Sequence, residues 1–174
     1  MGKRVIKANL SFDSLNQMAK DFKSYANSID LKCEQFTERL INEVGIPVIS
    51  VNMASFKGDS EHSYQTFVEI RRQPNKGVSA RLVVQNEDIL FIEFGAGIHY
   101  NNGNAHPQAS ELGYGVGKYP GQKYAITPGY WWWRDDSGTL RFSLGTEASM
   151  PMYKAYTEMV DQVGRIAREV FGNG

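Results

Sequence analysis

An apolar stripe at helical spacing occupies both ends of this chain and is missing from its middle, and that arrangement limits the fold more than any other feature. Leu15, Met18, Phe22, Tyr25, Ile29, Cys33, Phe36, Leu40 and Val44 recur at steps of three and four, which lines one face of an α-helix. Met152, Tyr156, Met159, Val163, Ile166 and Val170 repeat the pattern near the C-terminus, with Lys154, Glu158, Asp161, Arg165 and Arg168 on the other faces. Asp13, preceded by Phe12, is the expected N-cap of the first segment, residues 12–45. Asn27-Ser28 or Asp30 could cap a second helix, so this segment is either two helices or one bent one. Gly45 and Pro47 disturb the stripe. Val48, Ile49 and Val51 have strand propensity, whereas Val44, Val48 and Val51 continue the helical face, so pattern alone leaves 46–54 open. The last helix is expected over 150–171, with Ser149 as its cap, Pro151 in the first turn where a missing N–H costs nothing, and Gly172 as its stop.

Between the stripes the period changes to two. Tyr64, Thr66, Val68 and Ile70 alternate with polar neighbours, Gln73 to Gly77 make a turn, and Val78, Ala80, Leu82 and Val84 alternate again, which predicts a hairpin. Asn86-Glu87-Asp88 turns the chain into Ile89 to Phe94, a continuously apolar run that suits a central strand. Tyr130 to Arg134 and Thr139 to Leu144, joined through Asp135-Asp136-Ser137-Gly138, form a second hairpin. The sum is a single α+β domain in which 63–94 and 128–145 build an antiparallel sheet of about five strands. Residues 95–121 interrupt it with 7 of the 17 glycines. Loops of this length are commonly functional, interfacial or mobile, and this one is expected to be an extended arm.

Totals exclude several classes. Lys plus Arg is 19 and Asp plus Glu is 19, so the basic excess of a nucleic-acid sheath or an anionic-membrane binder is missing. Hydrophobic residues at 41% and aromatics at 12% are too many for a disordered chain. Cys33 is the only cysteine, which leaves no internal disulfide and no cysteine zinc site. The opening residues carry no apolar run of signal-peptide length, and no stretch approaches a membrane span. A soluble protein made inside the cell is expected.

Candidate chemistry is thin. Glu93, His99 and His106 are the one set resembling metal ligands, but the spacing matches no HExxH signature, and a zinc site needs rigidly supported ligands. Gly113-Tyr114-Gly115-Val116-Gly117-Lys118 invites a phosphate-loop reading; Gly113 and Gly117 are too close for it, and Tyr119 stands where Ser or Thr is required. Cys33 lies on an apolar helix face as a small hydrophobe, and no serine occupies a nucleophile elbow. No catalytic, cofactor-binding or metal-ligating residue is expected. Trp131-Trp132-Trp133 is less ordinary. On a strand, Trp131 and Trp133 share one face and Trp132 takes the other. Both faces then need cover, from the core, from the long loop or from another subunit; stacking of single-stranded bases would call for a basic track that is missing.

These residues carry a family resemblance. Phe91-Ile92-Glu93-Phe94-Gly95-Ala96-Gly97 resembles the (V/I)EFGTG strand end of the head–tail joining family of long-tailed bacteriophages, the tail-completion or neck proteins, with Ala96 where Thr is common. His106-Pro107 and the loop from Gly113 to Gly121 resemble that family's inserted loop. Pro128 to Trp133, followed by Asp136-Ser137-Gly138, resembles its aromatic hairpin, and Gly145-x-x-Ala148-x-x-Pro151-Met152 its entry into the last helix. The resemblance covers nearly the whole chain and favours a kinked helix over 46–54. It implies a structural virion protein without catalysis. Such a protein forms a ring, of six copies, between the head connector or stopper ring and the tail-terminator or tail-tube protein. Double-stranded DNA passes through its lumen without sequence specificity, and no membrane is involved. A nearly neutral chain suits a channel through which DNA slides. Gly95, Gly97, His99, Tyr114, Tyr119, Trp131 and Trp133 are the expected subunit-contact residues. The rival roles are a tail-terminator ring, a metal-dependent hydrolase using Glu93, His99 and His106, and a single-strand binder using the tryptophans.

Overall fold

The computed structural model describes residues 11–54, 65–73, 77–86, 88–97, 106–114, 130–134 and 137–172, with the side chains of Arg72, Gln73, Trp131 and Trp133 excepted. Helix α1 (Phe12–Leu40) runs through a π-helical turn (Ile41–Gly45) directly into α2 (Ile46–Ala54). The segment is therefore continuous helix, and the open stretch 46–54 is helical. Its N-cap is Ser11, not Asp13: the Ser11 hydroxyl accepts from the Ser14 amide. Ser28, a possible second start, instead donates its hydroxyl back to the Tyr25 carbonyl inside the helix. The wide turn has a local cause. Pro47 has no N–H for the Glu43 carbonyl, and its ring crowds that carbonyl; a π-turn relieves both.

Hairpin β1 (Gln65–Gln73) and β2 (Gly77–Gln85) forms as expected. Two expectations fail. Ile89–Phe94 is a helix, α3, and not a central strand. In place of the sheet of about five strands, the described residues form three separate two-stranded ladders: β1 with β2, β3 (Ala96–Gly97) with β6 (Gly145–Thr146), and β4 (Trp131–Arg134) with β5 (Leu140–Ser143). The physical reason is the same for both. An apolar run without alternation fits a buried helix as well as a buried strand. Here the Asn86 side chain accepts from the Asp88 amide, and the Ile92 amide then bonds Asp88 O, so the chain turns into a helix. Without a central strand, nothing among the described residues joins the hairpins. The class remains mixed helix and sheet, closed by α4 (Pro151–Gly172). Among the described residues no helix is long and apolar enough to cross a membrane.

Packing groups the chain into two compact units. Unit 1 comprises Met1–Gly45, Phe67–Val83 and Glu158–Gly174. Its core is Val44, Ile166 and Val170, with Phe36, Leu40, Met159 and Phe171 against them. Phe36 meets Phe171 at 6.0 Å between ring centres, and Arg39 pairs with Glu169 at 2.6 Å. A Cβ on Gly45 would lie 2.8 Å from Leu82 and 2.9 Å from Met159, so glycine permits β2 and α4 to close on the π-turn. The two helices therefore run antiparallel, and their contact ends where α4 ends.

Unit 2 comprises Ile46–Thr66 and Val84–Thr157. Phe94, Ala96 and Ala109 form its buried cluster, with Phe91 and Tyr114 packed on it. On the β4–β5 hairpin, Trp132 is paired across from Phe142 and Arg134 across from Leu140. Tyr130, Trp132, Leu140, Phe142 and Leu144 are all substantially exposed on that face.

Candidate functional site

Two of the three candidate ligands weighed in the sequence meet in unit 2. Glu93 and His106 are both buried, 6% and 4% exposed. Helix α3 aims the Glu93 carboxylate at the first turn of α4. Oε2 accepts the Met152 amide and Oε1 the Tyr153 amide, each at 2.8 Å. Pro151 has no amide to offer at this end, so a side chain 59 positions away supplies the cap expected of Ser149. The Ser149 hydroxyl donates instead to the Asn52 carbonyl at 2.6 Å, and its amide bonds Ile92 O at 2.8 Å.

His106 completes the network. Its Nε2 lies 3.1 Å from Glu93 Oε1, and its Nδ1 accepts the Gln108 amide at 3.1 Å. A nitrogen that accepts carries no proton, so the pattern assigns the proton to Nε2, which donates to the carboxylate. The segment is held as a compact turn by Ala109 N–H to His106 O and Tyr114 N–H to Ala109 O. Phe94 stacks on Tyr114 at 4.2 Å between ring centres, and the His106 ring stands edge-on to Tyr153 at 5.0 Å. A shallow groove of about 390 Å³ opens beside the pair, and Ile89, Leu90, Phe94, Leu112 and Met152 give it a mostly apolar wall.

Gly95 follows Glu93 at φ +73°, a backbone conformation open mainly to glycine. A Cβ there would meet the Ala148 amide nitrogen and the Thr146 carbonyl oxygen at 3.0 Å each. Ala96 then pairs with Thr146 and Gly97 with Gly145. Chemically the site is an anion–helix junction. The carboxylate meets the positive end of the α4 dipole and takes charge-assisted hydrogen bonds. Each side-chain polar atom of Glu93 and His106 has a partner within the chain.

Of the expected contact residues, Gly95, Gly97 and Tyr114 are used inside unit 2, as described. His99 and Tyr119 lie outside the described residues, as do the side chains of Trp131 and Trp133. Of the proposed ligand set, Glu93 and His106 come together, and among the described residues no group of three or more His, Cys, Asp or Glu is placed to hold a metal ion. Of the 95–121 arm, residues 106–114 are packed through His106 and Ala109. Sequence reasoning missed the capping role of Glu93. The available signal was a lone carboxylate inside an apolar run, which burial obliges to find donors. Comparison with protein-family models, curated proteins and solved structures finds no match.

Proposed function

We propose that this chain is a non-catalytic virion protein. In this reading it assembles as a ring of six copies in the neck of a long-tailed phage, joins the head connector to the tail tube, and lets DNA pass. It would be made in the cytoplasm of the bacterial host and would act in the particle. The observation that carries the reading is what the resembling motifs do. Residues 91–97 and 145–152 lie about fifty positions apart in the chain, yet they interlock through Glu93, Gly95, the β3–β6 ladder and Ser149. His106, from a third motif, locks the same junction. Motif residues consumed in this way are explained by a scaffold, not by chemistry. The exposed face of the β4–β5 hairpin, with Trp132 57% exposed, adds apolar surface of the kind that partners cover.

Electron microscopy of lysates from a phage carrying a nonsense codon in this gene tests the proposal. Filled heads beside separate, unjoined tails are the expected result. Tails of abnormal length would transfer the protein to tail termination, and normal infectious particles would overturn the neck assignment.

A further inference from the structure

The neutral totals hide a local excess. Residues 65–85, which make the β1–β2 hairpin, hold Arg71, Arg72, Lys76 and Arg81 against a single acid, Glu69. Taking these from the totals of 19 and 19 leaves the rest of the chain 15 basic and 18 acidic residues. All five charges fall between positions 69 and 81, towards the turn, and that whole stretch belongs to unit 1.

The fold puts that charge on an outer face. In β2, Gly77, Ser79 and Arg81 are exposed while Val78, Ala80 and Leu82 are half-buried, the alternation of a strand with one face covered. Leu82 points inward, towards Gly45. On the outer face Glu69 Oε2 lies 3.3 Å from Arg71 Nη2 and 3.9 Å from Arg81 Nη1, so two guanidiniums converge on one carboxylate oxygen. Their side chains remain 64% and 67% exposed. Ion pairs this open to water are weak, and one carboxylate cannot neutralise two cations. The face keeps a positive excess.

We infer that the outer face of the β1–β2 ribbon is a contact surface for the phosphate backbone of double-stranded nucleic acid, with Arg71 and Arg81 as its phosphate-binding side chains. Charge complementarity selects the partner. Three of the four basic groups are arginine, whose planar fork meets phosphate oxygens in pairs. Two guanidiniums that already share one carboxylate oxygen are close enough to share one phosphate. A two-stranded ribbon also has the width that the major groove of a duplex admits. Single strands are held by rows of stacking aromatics, and Phe67 is the only aromatic between 65 and 85. Charge on exposed strands also guards against edge pairing, but that role needs no particular sign and gives no reason to gather cations around one acid. A backbone contact of this kind is insensitive to base sequence. The neck reading names no residue that meets DNA; this inference rests on the charge of the ribbon and not on that reading.

The test is fluorescence anisotropy of a labelled DNA duplex of arbitrary sequence, titrated with the full chain over a salt series. With three phosphate contacts, affinity should fall roughly 40-fold between about 50 and about 200 mM salt, a log–log slope of about −2.7. Arg71→Gln and Arg81→Gln should each flatten the slope by about 1 and weaken binding several-fold on every sequence. Glu69→Gln should tighten binding, because the competing carboxylate is gone; charge with a purely structural role would show no gain. All three sites are on the surface, so thermal midpoints should stay near that of wild type. Lys3, Arg4 and Lys7 form another basic run, and changing all three to Gln should leave the Arg71 and Arg81 effects in place. No binding at about 50 mM salt and about 100 μM protein, the weak end of non-specific affinity, overturns the inference. So does binding that Arg71→Gln and Arg81→Gln leave unchanged, a tighter hold on a single strand of equal length, or equal binding to phosphatidylserine vesicles. Duplex binding as expected, with normal particles from the nonsense mutant, keeps this contact and removes the neck reading. Unjoined heads and tails from that mutant, with no duplex binding, do the reverse.

Discussion

Replacing Glu93 by alanine removes the acceptor for three buried or half-buried donors at once: the Met152 and Tyr153 amides at 2.8 Å and His106 Nε2 at 3.1 Å. Loss of a helix cap alone costs about 1 kcal/mol. Each donor left unpaired away from water adds about 1–3 kcal/mol, with some relief from water entering the cavity, so the total is about 4 kcal/mol. That is a large share of a domain stability of about 5–15 kcal/mol. Glu93→Gln is the informative partner. Its oxygen can serve Tyr153 and His106, but its NH₂ then faces the Met152 amide, donor against donor, so it should cost about 2 kcal/mol. Urea unfolding gives both numbers. Amide hydrogen exchange localises them: Met152 and Tyr153 should lose protection, while amides near Ile166 keep theirs. Alanine within about 0.5 kcal/mol of wild type, the size of an ordinary surface substitution, with both amides still protected, would refute the capping role.

Three further outcomes are expected. Gly95→Ala combines a positive φ with backbone atoms at 3.0 Å and should lose about 3 kcal/mol, whereas Gly138→Ala, at φ +80° with nothing within 4 Å, should lose only about 1 kcal/mol; equal losses would show that strain rather than close approach dominates. Ile166→Ala, at a fully buried position, should cost about 2–5 kcal/mol by urea unfolding. Hydrogen bonds from Arg39 hold the Glu43 carboxyl below its usual 4.5, and hydrogen bonds from Arg39 and then Arg165 do the same for Glu169. Carboxylates with lowered folded-state pKa stabilise the fold above their unfolded value, and that support is lost as pH falls through the folded one. The stability gap between wild type and Arg39→Met should therefore be open near pH 6, shrink below about pH 4.5, and narrow in high salt.

How much of this was legible depends on whether the deciding interaction is local. The α1 stripe and the Tyr130–Leu144 hairpin are set by spacing and turn residues within one element, and both formed as read. Pro47 was legible as a disturbance. Its resolution as a π-turn was not, because pattern alone does not say whether a proline inside an apolar stripe ends the helix or is absorbed by a wider turn. Ile89–Phe94 failed as a strand because six apolar positions without alternation carry no period. The decision falls to Asn86 and Asp88, whose turn chemistry was seen but assigned to the wrong element. Once that segment is helical, no strand among the described residues joins the hairpins into one sheet.

The site was half legible for a related reason. Glu93, His99 and His106 were singled out together as candidate ligands; of these Glu93 and His106 touch, and His99 lies outside the described residues. What sequence could not supply is the third participant, because nothing near residue 93 identifies the Met152 and Tyr153 amides as its partners. Pro151 is the link between the two. Proline at the first position of α4 leaves the amides of the next two residues as the ones to be capped, and the capping carboxylate arrives from α3. Ser149, the local candidate, ties its hydroxyl to α2 through Asn52. The N-terminus of α4 is thus fastened to α3 by a charge and to α2 by a hydroxyl, while Gly95 lets the intervening backbone pass at 3.0 Å. Both oxygens of this glutamate sit on helix amides, so the carboxylate caps α4 across 59 positions of chain.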